Sequence, residues 1–238
     1  MMEARAYADP ATESPRHFRS PVAGLLSPSG VAAPALPKRQ LAIKRAVDLT
    51  VSAFALVLLL PLFVLVAVLI KLESPGPVLF TQTRWGQGGS RIKVFKFRSM
   101  RTDLCDASGV AQTVEGDPRV TRVGKLIRKT NVDELPQLLN VLFGDMSLVG
   151  PRCHPVGMLA AGVPYEVLVP TYHERHALKP GITGLAQVRG FRGPTTRTSK
   201  ARARIYSDLY YVRNFSLLLD IKILFWTVAS ELKGGTGF

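Results

Sequence analysis

Cysteine is nearly absent from this sequence: Cys105 and Cys153 are the only two among 238 residues. Two cysteines make no disulfide framework, and neither stands in the spacing of a metal site. We therefore expect a reducing, cytoplasmic setting. An apolar signal-peptide core is also lacking in residues 1–37, whose scattered Pro, Ala and Ser predict a disordered tail.

Acidic residues are outnumbered by basic ones. The chain has 31 Lys and Arg against 17 Asp and Glu, which gives a formal net charge of +14. Such an excess predicts a polyanionic partner: nucleic acid, an anionic membrane surface or a phosphorylated substrate. Charge alone does not choose among the three. The length allows one substantial core, so we expect one domain with appendages.

An uncharged run of 22 residues extends from Leu49 to Ile70. As a helix, at about 1.5 Å per residue, it would cover roughly 33 Å and could cross a bilayer core. Pro61 in its middle would kink that helix. Basic residues cluster before the run, so a straight span would export residues 71–238. A bend at Pro61 would instead make segment 38–72 re-entrant, with both flanks cytoplasmic, and both interpretations stay open.

The rest of the chain, residues 73–238, carries signals for a small mixed domain. Val78–Thr83 and Arg91–Phe97 flank a glycine-rich turn, which predicts a β-hairpin. Residues 103–118 predict a polar loop. Near the end, residues 205–232 have a helical period and predict one amphipathic helix, either lying in the bilayer interface or packed in the core. The expected fold class is therefore α+β and mostly helical.

Asp133 and Glu134 form an acidic pair at the start of a predicted helix. An apolar face recurs at helical spacing through Leu135, Leu138, Leu139 and Leu142. Thr130, three residues before Asp133, resembles a capping box and would start the helix there. A helix N-terminus with nearby cations, Arg128 among them, stabilises negative charge.

The acidic pair allows two functional roles and one simpler interpretation. Asp133, kept ionised by its surroundings, is a candidate nucleophile for a phosphoryl group. Glu134 could hold a divalent metal ion or act as a base. In the simpler interpretation Asp133 only caps the helix and Glu134 is a solvated charge.

Basic and glycine-rich segments elsewhere are candidates for phosphate binding. Arg152, in a constrained Gly-Pro-Arg loop, has the planar fork that suits a phosphate. Glycines and arginines after residue 178 could cradle a diphosphate. His173 and His176 are three apart, not the four of a metalloprotease, and we interpret them as surface or structural. The candidate substrate-binding residues are Lys96, Arg98, Lys179, Gly181, Thr183, Gly184, Gln187 and Arg192.

Six motifs in unbroken order, over about residues 40 to 232, resemble one family. They are Lys44–Asp48, Lys96–Met100, Val132–Leu138, Gly144–Arg152, Lys179–Gly184 and Leu219–Lys222. The chain is thereby identified as a member of the bacterial sugar transferases, which are monotopic polyprenyl-phosphate phosphoglycosyl transferases. The resemblance implies a re-entrant membrane helix and a catalytic domain with in-plane amphipathic helices on the cytoplasmic face of the bacterial inner membrane.

The resemblance also implies a covalent mechanism. Asp133 would take a hexose-1-phosphate, galactose- or glucose-linked, from a UDP-sugar with release of UMP, and undecaprenyl phosphate would then accept it to begin exopolysaccharide assembly. Mg²⁺ would bind near Asp133 and Glu134, Arg152 and Arg128 would offset the phosphoryl charge, and Asp220 matches a further acidic position of the site.

Other classes of function remain as alternatives. A non-catalytic, membrane-anchored lipid-binding protein would explain the basic clusters, and a hydrolase would use the same aspartate with water. A nucleic-acid binder has the charge but no matching motif, so we expect no nucleic-acid partner. Whether the chain forms a homodimer is left open.

Overall fold

A computed structural model describes residues 37–102 and 116–232. This part of the chain is mostly helical with three two-stranded sheets, so the predicted α+β class is confirmed. The predicted tail, apart from its last residue, and most of the predicted polar loop lie outside the described residues.

The described residues form eight α-helices and six β-strands. In chain order they are α1 (Lys38–Leu58), α2 (Leu60–Glu73), β1 (Leu79–Trp85), β2 (Arg91–Phe97), α3 (Arg122–Lys129), α4 (Gln137–Phe143), β3 (Ser147–Val149), β4 (Leu159–Ala160), β5 (Val163–Pro164), α5 (Tyr165–Leu168), β6 (Gly181–Thr183), α6 (Leu185–Val188), α7 (Thr198–Arg213) and α8 (Leu217–Leu232). Short 3₁₀ turns lie at Gln87–Gly89, Val132–Glu134 and Tyr172–Ala177.

The predicted hairpin is present. β1 and β2 pair antiparallel, with Leu79 opposite Phe97 and Trp85 opposite Arg91. β1 extends two residues beyond the predicted end because the ladder continues to the glycine turn. Alternation places Ile92 and Val94 in the core, and the pattern breaks towards the end of β2. The hairpin therefore presents the end of β2 to the segments that follow.

α4 joins this hairpin to the centre of the domain. The buried side chain of Asn140 accepts a hydrogen bond from the N–H of Phe95 (2.9 Å) and donates one to the carbonyl of Lys93 (2.7 Å). Leu138 is buried as predicted, whereas the other three leucines of the predicted apolar face are only half-buried. Val141 completes the packing on the central core.

The predicted capping box is wrong. Thr130 follows the end of α3, and its hydroxyl donates to the carbonyl of Leu126 (2.9 Å) instead of receiving an N–H from a new helix. Asn131 then adopts a left-handed conformation with φ of 55°, which an asparagine tolerates better than most residues. Val132–Glu134, which we call the acidic turn, is a single 3₁₀ turn, and α4 begins only after Pro136.

The single C-terminal helix that the periodicity predicts is two helices. The side chain of Asn214 donates to the carbonyl of Tyr210 (2.9 Å), where α7 ends. The hydroxyl of Ser216 accepts from the N–H of Leu219 (3.2 Å), where α8 begins. Short polar side chains can satisfy helix ends in this way. The apolar period continues across the break because both helices keep one face on the core.

α8 also has an unburied apolar stripe. Its members are Leu218, Ile221, Phe225, Val228 and Leu232, which are between 59% and 83% exposed. They recur at helical spacing, so they lie along one side of the helix. The helix thus has the two-sided character expected of an in-plane amphipathic helix.

α1 and α2 divide the long apolar run at Leu59 and meet at an angle of 60°. In the described part of the chain no one helix has the length and apolarity to cross a bilayer, but this bent pair has both when taken together. Pro61 is the second residue of α2, where its missing N–H has no helical partner to lose. The break therefore falls two residues before the proline.

Both arms of the bent pair pack against the same domain. Lys44, Asp48 and Ser52 are buried on α1, and Val66 and Ile70 are buried on α2. No residue from 53 to 65 is buried. We call residues 53–65 the apolar tip. The helical segments on both sides of the tip pack against the same domain.

The end of α2 is held by charged side chains. The guanidinium of Arg98 donates to the carbonyls of Ile70 (3.2 Å) and Ser74 (2.6 Å). The carboxylate of Glu73 accepts from the backbone N–H groups of Arg122 (2.6 Å) and Val123 (3.0 Å) at the start of α3. Arg98, a predicted substrate ligand, is thus placed as a structural clamp on α2.

α1, α7 and α8 converge on the carbonyl of Val149. Lys44 donates to this carbonyl (2.9 Å) and pairs with Asp220 (2.6 Å). The hydroxyl of Tyr211 donates to Asp220 (2.6 Å) and lies 3.3 Å from the same carbonyl. Asp220, which the resemblance assigns to the catalytic site, therefore positions Lys44 and Tyr211, and these two side chains contact the strand that leads to Arg152.

This buried pair generates a prediction about stability. Lys44→Met leaves the Asp220 carboxylate without its cation, and we expect it to lower the free energy of unfolding by about 3–5 kcal/mol. Lys44→Met combined with Asp220→Leu removes both charges and leaves Tyr211 to satisfy the Val149 carbonyl, so it should recover most of that loss. Thermal unfolding in detergent measures both, and a double variant less stable than the single one would contradict this account.

Candidate active site

The acidic turn lies between α3 and β2. The left-handed residue Asn131 reverses the chain after α3, and its carbonyl accepts from the N–H of Glu134 (3.2 Å). This turn brings the carboxylates against Lys96 of β2 and near Arg128 at the end of α3. The structure therefore brings Arg128, Asp133, Glu134, Lys96 and Arg152 together, five residues that the sequence predicts for one site.

Glu134 is bound by two cations. Arg152 approaches it with both terminal nitrogens, one at 2.9 Å from Oε2 and the other in a short contact with Oε1. Lys96 also donates to Oε1 at 2.7 Å. Burial by itself would raise the pKa of Glu134, but Arg152 and Lys96 outweigh it and hold the pKa well below its usual range. Glu134 is thus a fixed negative charge that orients two cations.

Asp133 is different from its neighbour. It is 7% exposed, and within the described residues its carboxylate makes no hydrogen bond and no ion pair. Burial raises the pKa of Asp133, and Lys96 is the strongest of the cations that oppose this shift. A carboxylate with no partner beside three cations has its lone pairs available for an electrophile.

Arg152 is held in place through its own backbone and that of its neighbours. Its carbonyl accepts from Arg175, and the carbonyl of Cys153 accepts from Arg84 (2.9 Å). Arg175 is in turn paired with Asp208 (3.0 Å), and both side chains are 1% exposed. The direction of the Arg152 side chain thus depends on a deeply buried ion pair.

Sequence reasoning missed Arg175 and Asp208. Arg175 lies between His173 and His176, which were interpreted as surface or structural, and Asp208 lies in the segment 205–232 that the period assigns to one amphipathic helix. The signal available for Asp208 was an acidic residue next to the apolar positions Ile205, Leu209 and Val212 of the helical period. Such a charge requires a partner when buried.

The glycines near Arg152 allow two backbone segments to pack closely against each other. A Cβ on Gly181 would lie 2.1 Å from the backbone nitrogen of Gly150, and one on Gly184 would lie 2.2 Å from the carbonyl oxygen of Gly150. The N–H of Gly150 donates to the backbone carbonyl of Thr183 (2.9 Å), and the N–H of Gly181 donates to the backbone carbonyl of Pro151 (3.0 Å). Gly181 and Gly184, predicted as part of a diphosphate cradle, are placed where they support the loop that carries Arg152.

The remaining predicted substrate residues lie around this loop. Thr183 shares a hydrogen bond with Thr227 of α8 (2.7 Å), and Gln187 donates to the carbonyl of Ile182 (3.1 Å). Lys179 lies near Gly144, at the C-terminal end of α4. Arg192 pairs with Glu231 (2.6 Å). None of these four has a contact with the acidic turn among the interactions of the described residues.

Comparison with known proteins gives the family. The model of the bacterial sugar transferases matches residues 39–234. The exopolysaccharide production protein PSS of Rhizobium leguminosarum bv. phaseoli is 67% identical over 198 residues, which is 83% of this chain and 99% of that protein.

Two further relatives are longer. The UDP-glucose:undecaprenyl-phosphate glucose-1-phosphate transferase of Escherichia coli (strain K12) is 48% identical over 186 residues, 78% of this chain and 39% of that protein. The UDP-N-acetylgalactosamine-undecaprenyl-phosphate N-acetylgalactosaminephosphotransferase of Aeromonas hydrophila is 45% identical over 192 residues, 81% of this chain and 44% of that protein. This chain spans less than half of either relative.

The acidic turn and the loop that presents Arg152 lie inside the matched residues. The family model covers most of the chain, and the Rhizobium relative is matched over nearly its whole length. This chain belongs to the bacterial sugar transferase family.

Proposed function

We propose that this protein transfers a hexose-1-phosphate from a UDP-sugar to undecaprenyl phosphate, as the first step of exopolysaccharide assembly. The observation that carries the proposal is Asp133, a buried carboxylate without a hydrogen-bond partner among the described residues, next to Lys96, Arg128 and Arg152. The names of the relatives support a glucose or N-acetylgalactosamine donor and an undecaprenyl-phosphate acceptor. We take UDP-glucose as the first donor to test.

The proposed reaction has two displacements at one phosphorus atom. A carboxylate oxygen of Asp133 attacks the sugar-bearing phosphorus, the bond to the bridging oxygen breaks, and UMP leaves with that oxygen. A phosphate oxygen of undecaprenyl phosphate then attacks the same phosphorus, the bond to Asp133 breaks, and undecaprenyl-diphosphate-hexose is released. Splitting the transfer in this way uses the aspartate as a covalent carrier.

The cations act on the charge of the transferring group. Arg152 and Lys96 are already oriented by Glu134, so they need little reorganisation when a diphosphate arrives. Arg128 reaches the same region from the end of α3. In this account Glu134 positions the cations, a role that replaces the general base considered from the sequence.

Mg²⁺ is part of the proposal, with Asp133 as its protein ligand. No group of three or more His, Cys, Asp or Glu suited to a metal occurs within residues 37–102 and 116–232. Mg²⁺ is often held by one or two carboxylates together with substrate phosphates, and Asp133 has the open lone pairs for this. Glu134, the second predicted ligand, would have to exchange its contacts with Arg152 and Lys96. When bound, the ion would offset charge on the donor diphosphate.

The exposed apolar surfaces support the proposal that the protein is membrane-bound. The tip at residues 53–65 and the stripe on α8 are too apolar and too extensive for an ordinary soluble surface. Both arms of the bent pair end on one domain, which favours a re-entrant segment over a straight span. We therefore propose that the tip enters the bacterial inner membrane from its cytoplasmic face and returns to that face, with α8 lying in the interface.

Release of UMP tests the proposed function. Purified protein in detergent with Mg²⁺ should release UMP from UDP-glucose and depend on undecaprenyl phosphate for continued turnover. Asp133→Asn removes the nucleophile and should lower kcat by about 10⁴-fold, with Glu134→Gln intermediate. Glu174→Gln breaks a surface ion pair with Arg213 and is the matched control, expected near the parent rate.

The outcomes separate the alternatives. Near-parent turnover by Asp133→Asn would contradict the covalent role. An inactive parent would favour the non-catalytic lipid-binding protein, and release of UMP without any acceptor at the full rate would favour a hydrolase.

The acid side of the pH profile reports the ionisation of Asp133. The attacking carboxylate must be deprotonated, so kcat/KM should fall as the pH drops through a pKa that burial has raised above the usual value. Lys96→Met removes the strongest opposing charge and should move this acid limb to higher pH, whereas Lys96→Arg should leave it near its place. An acid limb that moves to lower pH in Lys96→Met would contradict this assignment.

Cysteine labelling tests the proposed topology. In a Cys105→Ser background, Lys38→Cys at the start of α1 and Lys71→Cys near the end of α2 should react with a membrane-impermeant maleimide from the same, cytoplasmic side. Val57→Cys at the tip should be protected by lipid until detergent is added. Reaction of the two flanks from opposite sides would make the segment a true span.

A further inference from the structure

α8 carries polar side chains on the side opposite its apolar stripe. Asp220, Thr227 and Glu231 are spaced by seven and four residues, so they lie on one face of the helix. Asp220 accepts from Tyr211 and Lys44, and Thr227 shares a hydrogen bond with Thr183 of β6. Glu231 is the member of this face that contacts Asn131, the residue just before the acidic turn.

One carboxylate joins two segments of the site. Oε2 of Glu231 accepts from the side-chain amide of Asn131 (2.9 Å), and Oε1 accepts from the guanidinium of Arg192 (2.6 Å). The side chain of Arg192 is 15% exposed and that of Glu231 is 34% exposed. The contact is therefore sheltered, and it joins residues that are 61 positions apart in the sequence.

Asn131 is the junction between a cation and the acidic turn. Its N–H donates to the carbonyl of Arg128 (3.1 Å), and its carbonyl accepts from the N–H of Glu134 (3.2 Å). With φ of 55° it has little freedom to move without moving both neighbours. A contact to its side chain therefore ties Glu231 to the start of the acidic turn.

Arg192 is fixed at its backbone as well. Arg204 of α7 donates to the carbonyl of Phe191 (2.8 Å) and to that of Gly193 (2.6 Å), the residues on either side of Arg192. The backbone of this loop is thus set by α7. The guanidinium of Arg192 donates to Glu231, which draws this side chain towards Asn131.

We propose that Glu231 is a positioning residue for the nucleotide-sugar donor: its single carboxylate holds Arg192 at a set distance from the acidic turn, where Arg192 binds the donor diphosphate facing Asp133. This inference rests on the function proposed above. A carboxylate can accept from both Asn131 and Arg192, because it has only acceptors. A glutamine would present an N–H₂ group to one of these two donors.

Glu231→Gln tests the inference through separate kinetic parameters. We expect KM for UDP-glucose to rise about tenfold or more, as for the loss of a charge-assisted hydrogen bond. Both kcat and KM for undecaprenyl phosphate should stay within about threefold, because Glu231 contacts neither Asp133 nor Arg152 among the described interactions. Glu174→Gln, which breaks an Arg–Glu pair of the same type on the surface, should leave all three parameters unchanged.

Asn131→Gly removes the other partner of the contact between Asn131 and Glu231. Glycine keeps the left-handed backbone and removes only the side-chain amide. If both residues act through one contact, the double variant Asn131→Gly with Glu231→Gln should raise the donor KM no more than the stronger single change. Asn131→Gly also keeps the test open if Glu231→Gln does not fold, which thermal unfolding would reveal.

Three results would overturn the inference. The first is an unchanged or lowered donor KM in Glu231→Gln. The second is a loss of kcat/KM that is equal for the two substrates and accompanied by a lower unfolding temperature. The third is a fully additive effect on the donor KM in the double variant. An inactive parent protein would instead remove the proposed function, and this inference with it, so the two failures are distinguishable.

Discussion

The structure around the acidic turn depends on one interaction, the binding of Glu134 by Arg152 and Lys96 at the same time. This carboxylate satisfies the two cations, which leaves Asp133 beside them with no hydrogen bond from a described residue. The pKa values of these adjacent acidic residues thus shift in opposite directions: that of Glu134 is lowered by its partners, and that of Asp133 is raised by burial. Divergent environments for paired carboxylates are a general way to divide chemical roles.

The site is assembled by contacts between segments that are distant in sequence and anchored to the apolar elements. α1 holds β3 through Lys44 and Asp48, the latter accepting from the N–H of Leu148 (3.0 Å). α8 contributes Asp220 and Glu231 from one face while its other face is apolar and exposed. The helices that carry the exposed apolar surfaces are therefore also the helices that position the segments with Arg152 and Asp133.

Much of the local structure could be predicted from sequence, because it depends on short-range patterns. The hairpin followed from alternation around a glycine turn, and the grouping of Asp133, Glu134 and Arg128 followed from their proximity in the chain. The capping box failed because the left-handed conformation of Asn131 depends on packing that no spacing shows. The split of the last helix depended on caps at Asn214 and Ser216, which an apolar period does not reveal.

The roles of Arg98, Asp220 and Arg175 were beyond sequence reasoning for a further reason. Each side chain binds a group more than 20 residues away, and a charge by itself does not indicate its partner.

The most direct test of the central claim, that Asp133 carries the hexose phosphate covalently, is the mass of purified protein after incubation with UDP-glucose and Mg²⁺ in the absence of undecaprenyl phosphate. If Asp133 is the covalent carrier, a hexose-phosphate adduct forms on the peptide that contains Asp133 and is discharged when the acceptor is added. UMP release by the parent with no adduct on that peptide would contradict it.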